Sequence, residues 1–180
     1  MIAVRLLLAS FAIALLSACS SVSVLDYAGN TPRFEPERFF DGKLRASGVL
    51  KDRSGTVIRR FTADITAYWK DGVGTLEEDF LFDDGEVDRR VWTLSPNGSG
   101  GYDATAGDVV GVGVARAAGN AMFLKYVLRV PYGDGSIDLS IDDRMYLVTP
   151  DLLINESVMR KFGFRVGEIL LTIQRVDAGA

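Results

Sequence analysis

Polar and apolar residues take turns along most of this chain. Phe61, Ala63, Ile65 and Ala67 share one face against Thr62, Asp64, Thr66 and Tyr68. Met122, Leu124, Tyr126, Leu128 and Val130 fall together, as do Ile137, Leu139, Ile141, Met145 and Leu147, and later Ile169, Leu171 and Ile173. A period of two sends alternate side chains to opposite faces of an extended backbone, so each run reads as a half-buried strand. Turn signals separate the runs at short intervals, among them Asp52-Arg53-Ser54-Gly55, Asp71-Gly72, Asp84-Gly85, Asn97-Gly98, Gly133-Asp134-Gly135 and Phe162-Gly163. The expectation is an all-β antiparallel meander of about nine or ten strands, with closure into a barrel or half-barrel favoured because an open sheet of that size leaves two unpaired edges. A sandwich is the other arrangement open to such strands. Pro36 in "FEPERFFDGKL" suits the first position of a helix, and a short helical turn is expected there, capping the fold.

The inventory of side chains removes several reaction classes. The chain has 180 residues, no histidine and a single cysteine, Cys19. Without histidine there is no Ser-His-Asp or Cys-His chemistry and no His-ligated zinc or haem, and one cysteine makes no internal disulfide. No cofactor and no metal site is expected. Asp83-Asp84 and Asp142-Asp143 do not follow the spaced calcium-loop pattern. The formal charge of −4 and the lack of a basic stripe speak against nucleic acid. The glycines of "GDVVGVGVARAAGN" lack the third glycine of a dinucleotide fingerprint, because Arg116 stands in its place; the run reads as a glycine-rich strand at a bend.

The N-terminus reads as an address. Arg5 precedes an apolar stretch from Leu6 to Leu16, too short to span a bilayer but suited to the core of a secretory signal. Leu16-Ser17-Ala18-Cys19 resembles the lipobox of bacterial lipoproteins. That resemblance implies a signal peptide over 1–18 and a Cys19 that is acylated and becomes the first residue of the mature chain. Two or three acyl chains then hold the protein on its membrane, since one alone binds only marginally. Ser20 in the next position implies the periplasmic face of the outer membrane rather than the inner one. Residues 19–33 are small and polar and read as a tether to a β-barrel domain over 34–180.

Charges on apolar faces mark the candidate site. In "GTLEEDFLFDDGEVDRRVW" a two-residue Asp84-Gly85 turn would place Phe82 opposite Val87, Phe80 opposite Arg89 and Glu78 opposite Val91. Leu76, Glu78, Phe80, Phe82, Val87, Arg89 and Val91 then share the inner face, and Asp79 lies opposite Arg90 on the outer one. Glu78 and Arg89 must meet each other or a ligand if both are buried, and a one-residue slip would exchange the faces. Asp143 interrupts the series Ile137, Leu139, Ile141, Met145, Leu147 and therefore also points inward. Glu78, Arg89 and Asp143 make a polar floor in an apolar interior, with Arg89 the natural partner of an anionic head group. The alternative is a filled core with internal ion pairs.

Several long stretches match a known family together: "TPRFEPERFFDGKLRASGVLKDRSGTVIRRF", "LEEDFLFDDGEVDRRVW", "AGDVVGVGVARAAGNAM", "IDDRMYLV" and "NESVMRKFGFRVGEI". On these the chain resembles a family of uncharacterised bacterial lipoproteins, a domain of unknown function. The resemblance implies a lipocalin-like barrel with a short N-terminal helical segment and no established activity. The functional expectation is an envelope lipoprotein that binds or carries an apolar or amphipathic small molecule, such as a fatty acid or phospholipid, and is not an enzyme. A cavity below a few hundred Å³ would speak against a lipid. The other expectation is an envelope accessory acting through protein contacts at exposed residues such as Tyr68, Trp92 or Tyr102. Carboxylate-dependent catalysis by Glu78 and Asp143 is the third.

Overall fold

The computed structural model describes residues 22–176. Ten strands, β1 (Gly42–Asp52), β2 (Val57–Lys70), β3 (Val73–Phe82), β4 (Val87–Pro96), β5 (Tyr102–Thr105), β6 (Gly113–Ala118), β7 (Ala121–Tyr132), β8 (Gly135–Thr149), β9 (Leu152–Lys161) and β10 (Phe164–Arg175), form one closed antiparallel barrel. Each strand pairs with its neighbours in sequence, and β1 closes on β10 with Leu44 opposite Arg175 and Asp52 opposite Gly167. Closure removes both edges of the meander. The short helix α1 (Pro36–Phe39) begins on Pro36, where a missing N–H costs nothing. Cys19 and the signal segment 1–18 lie outside the described residues.

The alternating residues face inward as their period demands. Phe61, Ala63, Ile65 and Ala67 on β2, Met122, Leu124 and Leu128 on β7, and Leu139, Ile141 and Leu147 on β8 are buried. At the α1 end, Phe34, Phe39 and Phe40 pack ring against ring, their centroids 5.1–5.8 Å apart, in one cluster with Leu44, Leu94, Leu147 and Leu153. Trp69 Nε1 donates to the Phe40 carbonyl at 2.8 Å and Arg175 Nη1 to the Phe39 carbonyl at 2.7 Å, so the backbone of the plug is hydrogen-bonded to the barrel. The opposite end holds a second apolar cluster of Leu128, Leu139, Ile141 and Met159 with Leu50, Val130 and Ile169. Phe61 continues it on the β2 side, its ring 5.7 Å from Phe80 and 5.8 Å from Phe82.

One arc of the wall is thinner. β5 pairs with β4 only over Thr93–Pro96, and β6 pairs with β7 only over Ala121–Lys125. The half of each long strand nearer the second cluster is bordered instead by the loop 106–112. Val110 N donates to Val127 O and Arg129 N to Asp108 O, both at 2.8 Å, so that loop is laid along β7.

Part of the segment expected to act as a free tether is docked on the barrel's outer surface. Residues Val24–Tyr27 form a 3-10 helix whose start is closed by a reciprocal capping box between Ser23 and Asp26. Its Val24 packs with Ala121 and Phe123, and the Tyr27 ring lies 5.8 Å from Phe123 and 5.3 Å from Tyr146. Gly119, in the β6–β7 turn, permits this approach: it takes φ +54°, and a Cβ there would sit 1.6 Å from the Tyr27 carbonyl oxygen. Gly119→Ala is expected to destabilise the domain by more than about 1 kcal/mol, since both the backbone angle and the space exclude a methyl group. A urea titration showing an unchanged midpoint would contradict that packing.

Candidate functional site

The β3–β4 hairpin decides which charges enter the barrel. The chain makes a three-residue loop rather than the two-residue turn its Asp84-Gly85 invites. Gly85 N donates to Phe82 O and Phe82 N to Glu86 O, both at 3.0 Å, and Gly85 takes φ +86°. A type I turn followed by a left-handed glycine adds one residue to the connection. Glu78 therefore lies opposite Arg90, and Asp79 opposite Arg89.

That shift exchanges the two faces of β4 and corrects the expected site. Arg89 is outside, with its guanidinium 2.7 Å from Glu77 and 2.8 Å from Asp79, and Arg90 takes the inward place. Val87 and Val91 are exposed. Trp92 is not a surface residue but is buried, its ring edge-to-face with Tyr126 at 5.1 Å. Of the other two aromatics expected at the surface, Tyr68 is exposed, while Tyr102 is half-buried against Trp69.

Between the two apolar clusters lies a cavity of about 110 Å³. Its greasy wall includes Ala46, Phe61, Ile65, Leu76, Met122 and Leu171, and a polar belt of Glu78, Arg90, Tyr126, Asp143, Asn155 and Ser157 crosses it. The structure thus places Glu78 and Asp143 inside the barrel on one cavity. Asp143 is buried and accepts hydrogen bonds from the Asn155 amide and, at 2.8 Å, from the Ser157 hydroxyl. Arg90 does not close on Glu78. Its Nε donates to Asp108 Oδ1 at 3.2 Å and its Nη2 to Oδ2 at 2.6 Å, a bidentate pair with the loop that borders β7.

Burial sets the charge state of the two inner acids. It pushes the Glu78 carboxyl up to about 7, with Arg90 pulling down and the Asp143 and Asp108 charges adding to the rise. Asp143 is pushed up to about 6 by the same cause, against the hydrogen bonds from Asn155 and Ser157 and the charge of Arg90. Tyr126 is raised as well by burial, so its phenol stays protonated. The arrangement offers one cationic fork and a set of neutral or anionic oxygens at the side of an apolar chamber. It suits a molecule with one charged or polar end.

Arg90, Asp108, Asn155, Ser157 and Tyr126 are not among the residues expected from sequence to form the site. Asn155 and Ser157 carry the same signal that marks Asp143: they interrupt the inward series between Leu153 and Met159 on β9. Asp108 gives no such signal, because it lies in a loop.

The raised carboxyls fix the sign of a pH dependence. A carboxyl whose folded pKa exceeds its unfolded one keeps its proton longer in the folded state, so its stabilising contribution is complete below about pH 4 and is lost as the pH rises through 6 to 7. Thermal unfolding is expected to show stability falling between pH 5 and 8 by on the order of 1–3 kcal/mol. Glu78→Gln should flatten the upper part of that slope. A flat profile in the parent protein would mean that the two carboxyls are not desolvated.

Solved structures similar to this one include two barrels. The S-type phycobiliprotein lyase CPES from Guillardia theta superposes with a TM-score of 0.54 at 17% identity, over 81% of this chain and 95% of that one. A de novo designed fluorescence-activating β-barrel matches with a TM-score of 0.42 at 10% identity, over 79% of this chain and 99% of the design. The likeness to the lyase is one of fold, a lipocalin-like barrel. No curated protein matches the sequence. The model of the family described as "Protein of unknown function (DUF3833)" matches residues 13–175, nearly the whole barrel and the segment before it, and the chain belongs to that family.

Proposed function

We propose that this protein is a lipid-anchored, periplasm-facing component of a bacterial envelope whose barrel holds a small amphipathic molecule, its apolar part in the cavity and its polar end at Arg90. The observation that supports the reading is the cavity itself, an apolar chamber crossed on one side by Glu78, Arg90, Tyr126 and Asp143. Its volume of about 110 Å³ narrows the ligand. Pockets for drug-sized ligands run from roughly 300 to 1,000 Å³, so this chamber falls below the size expected of a lipid site and takes a small ring or a short chain, not a phospholipid or a whole long-chain fatty acid. The role is one of binding rather than catalysis, in line with a sequence that contains no histidine.

Cys19 supplies the anchor in this reading, with the lipobox residues Leu16-Ser17-Ala18 in support and Ser20 favouring the outer membrane. The docked helix at Val24 leaves a short leash to the lipid, at most about 18 Å for five extended residues, which keeps the barrel close to the membrane surface. Cys19→Ser is expected to abolish incorporation of labelled palmitate into the protein. Labelling that survives the substitution would overturn the anchor. Native mass spectrometry of the Cys19→Ser chain purified from cells is expected to show a bound amphiphile that organic extraction removes. A barrel that carries none, and quenches no tryptophan fluorescence when titrated with hexanoate, would overturn the ligand reading.

A second reading, an accessory that works through protein contacts, has an observation of its own. Phe162, Phe164, Val87 and Tyr132 are between 73% and 88% exposed on the hairpins at the end of the barrel away from α1. Apolar residues gathered on one end of a protein mark a contact surface. Photoreactive residues at 162 and 164 would form protein adducts in cells if that reading holds, and none if it does not.

A further inference from the structure

Among the described residues, the barrel wall has one break, and it lies beside Arg90. An apolar cluster stands towards each end, the phenylalanine plug at α1 and Leu128, Leu139, Ile141 and Met159 opposite. The wall is complete between β7 and β4 on the long way round, through β8, β9, β10, β1, β2 and β3. On the short way, residues Val87–Trp92 of β4 have no strand partner on the β5 side among the described residues, and the loop 106–112 stands across from them. Between them runs a cleft of about 560 Å³ edged by Asp88, Arg90 and Val91 on one side and Gly107, Asp108 and Pro131 on the other. Arg90 lines both this cleft and the inner cavity. The ion pair of Arg90 with Asp108 spans the break.

The other two arginines around the cleft are paired with carboxylates. Arg129 pairs with Asp138 at 2.8 Å, and Arg89 is held by Glu77 and Asp79. Arg90 is paired too, but of the three it alone also lines the inner cavity, and its present partner is a side-chain carboxylate gripped through two N–H groups. A planar guanidinium that grips one carboxylate in this way fits another of the same shape. A dianionic head would meet Glu78, Asp88 and Asp143 around a single cation, so a monoanion fits better.

We propose that the cleft between β4 and the loop 106–112 is the side door of the barrel, where the carboxylate of a single-chain amphiphile replaces Asp108 on Arg90 while its tail enters the cavity. The inference rests on the amphiphile reading given above and adds the route, the head-group class and the residue that gives way. Asp108 acts as an internal stand-in for the ligand's own carboxylate. Its displacement frees the loop from β4 without breaking the loop's hydrogen bonds to β7.

Stopped-flow tryptophan fluorescence tests this, since Trp92 lies beside Arg90, its ring 5.9 Å from the guanidinium carbon. The probes are hexanoate and hexan-1-ol, short enough for the chamber, added to the Cys19→Ser chain. Asp108→Asn is expected to tighten hexanoate binding roughly tenfold or more, the scale of a lost competing ionic hydrogen bond, and to leave hexanol within about twofold. Gly107→Phe, at a position where a Cβ would meet nothing within 4 Å, should slow association of both probes about tenfold by narrowing the cleft. Phe162→Ser, at the far end of the barrel, should change neither rate. Unchanged hexanoate affinity in Asp108→Asn, or association in Gly107→Phe as fast as in the parent, would overturn the side door while leaving a binding barrel in place. Hexanoate that binds neither the parent nor Asp108→Asn would overturn the door and the amphiphile reading together.

Discussion

A sheet that closes on itself has one inside, and every second residue of every strand must go there. The pairing of β1 with β10 imposes this on all ten strands at once. The barrel accepts charged residues at inward positions only where the interior offers them partners, because an unpaired buried charge costs several kcal/mol. Asp143 is met by Asn155 and Ser157, and Arg90 by Asp108. Glu78 has the cavity, the nearby charge of Arg90 and, from its raised pKa, a proton at neutral pH for part of its population. The polar belt is thus a consequence of closure as much as of the residues in it.

The same constraint explains what the chain's order of residues discloses. Strand number, the meander and the inner residues of β2, β7, β8 and β10 follow from period-two runs, because a half-buried strand has no other way to hide an apolar face. The inward places of Glu78 and Asp143 come from that logic too, as breaks in an apolar series. Arg89 and Arg90 do not, for a local reason. They sit beyond a turn whose Asp83-Asp84-Gly85 allows two or three loop residues, and the parity of β4 hangs on which is used. A cue lies further along: Trp92 and Leu94 share the parity of Arg90, and two large apolar residues on one face outweigh the exposed Val87 and Val91 only once Trp92 is assigned to the core. Asp108 is beyond reach, since its partner is 18 positions away and its own segment is a loop with no period.

The glycine-rich stretch shows how a departure from regular structure makes room for a site. Residues 106–112 do not pair with β4, so β5 and β6 span only the half of the wall nearer α1. Gly113 is needed at the start of β6, where a Cβ would come within 2.9 Å of the Tyr126 Cβ. The loop before it is bound to β7 by backbone hydrogen bonds and to β4 by one side-chain pair. In the side-door reading the side-chain pair is the attachment that gives way, while the backbone hydrogen bonds to β7 stay.

The interior also carries a cost that a purely structural core would avoid. Apolar residues of similar volume in place of buried ionic groups are often neutral or stabilising, and here Glu78, Arg90 and Asp143 gather on one side of a cavity while apolar clusters stand towards both ends. Each of the three also faces space rather than a close-packed neighbour for part of its surface. A chain that needed only a stable barrel would gain by filling that volume, since empty space next to buried methyl groups loses dispersion contacts. Departures from the locally favourable choice that cluster at one place in a fold are where function is usually found. In this barrel they cluster at the thin arc of the wall, around a guanidinium reachable from both sides.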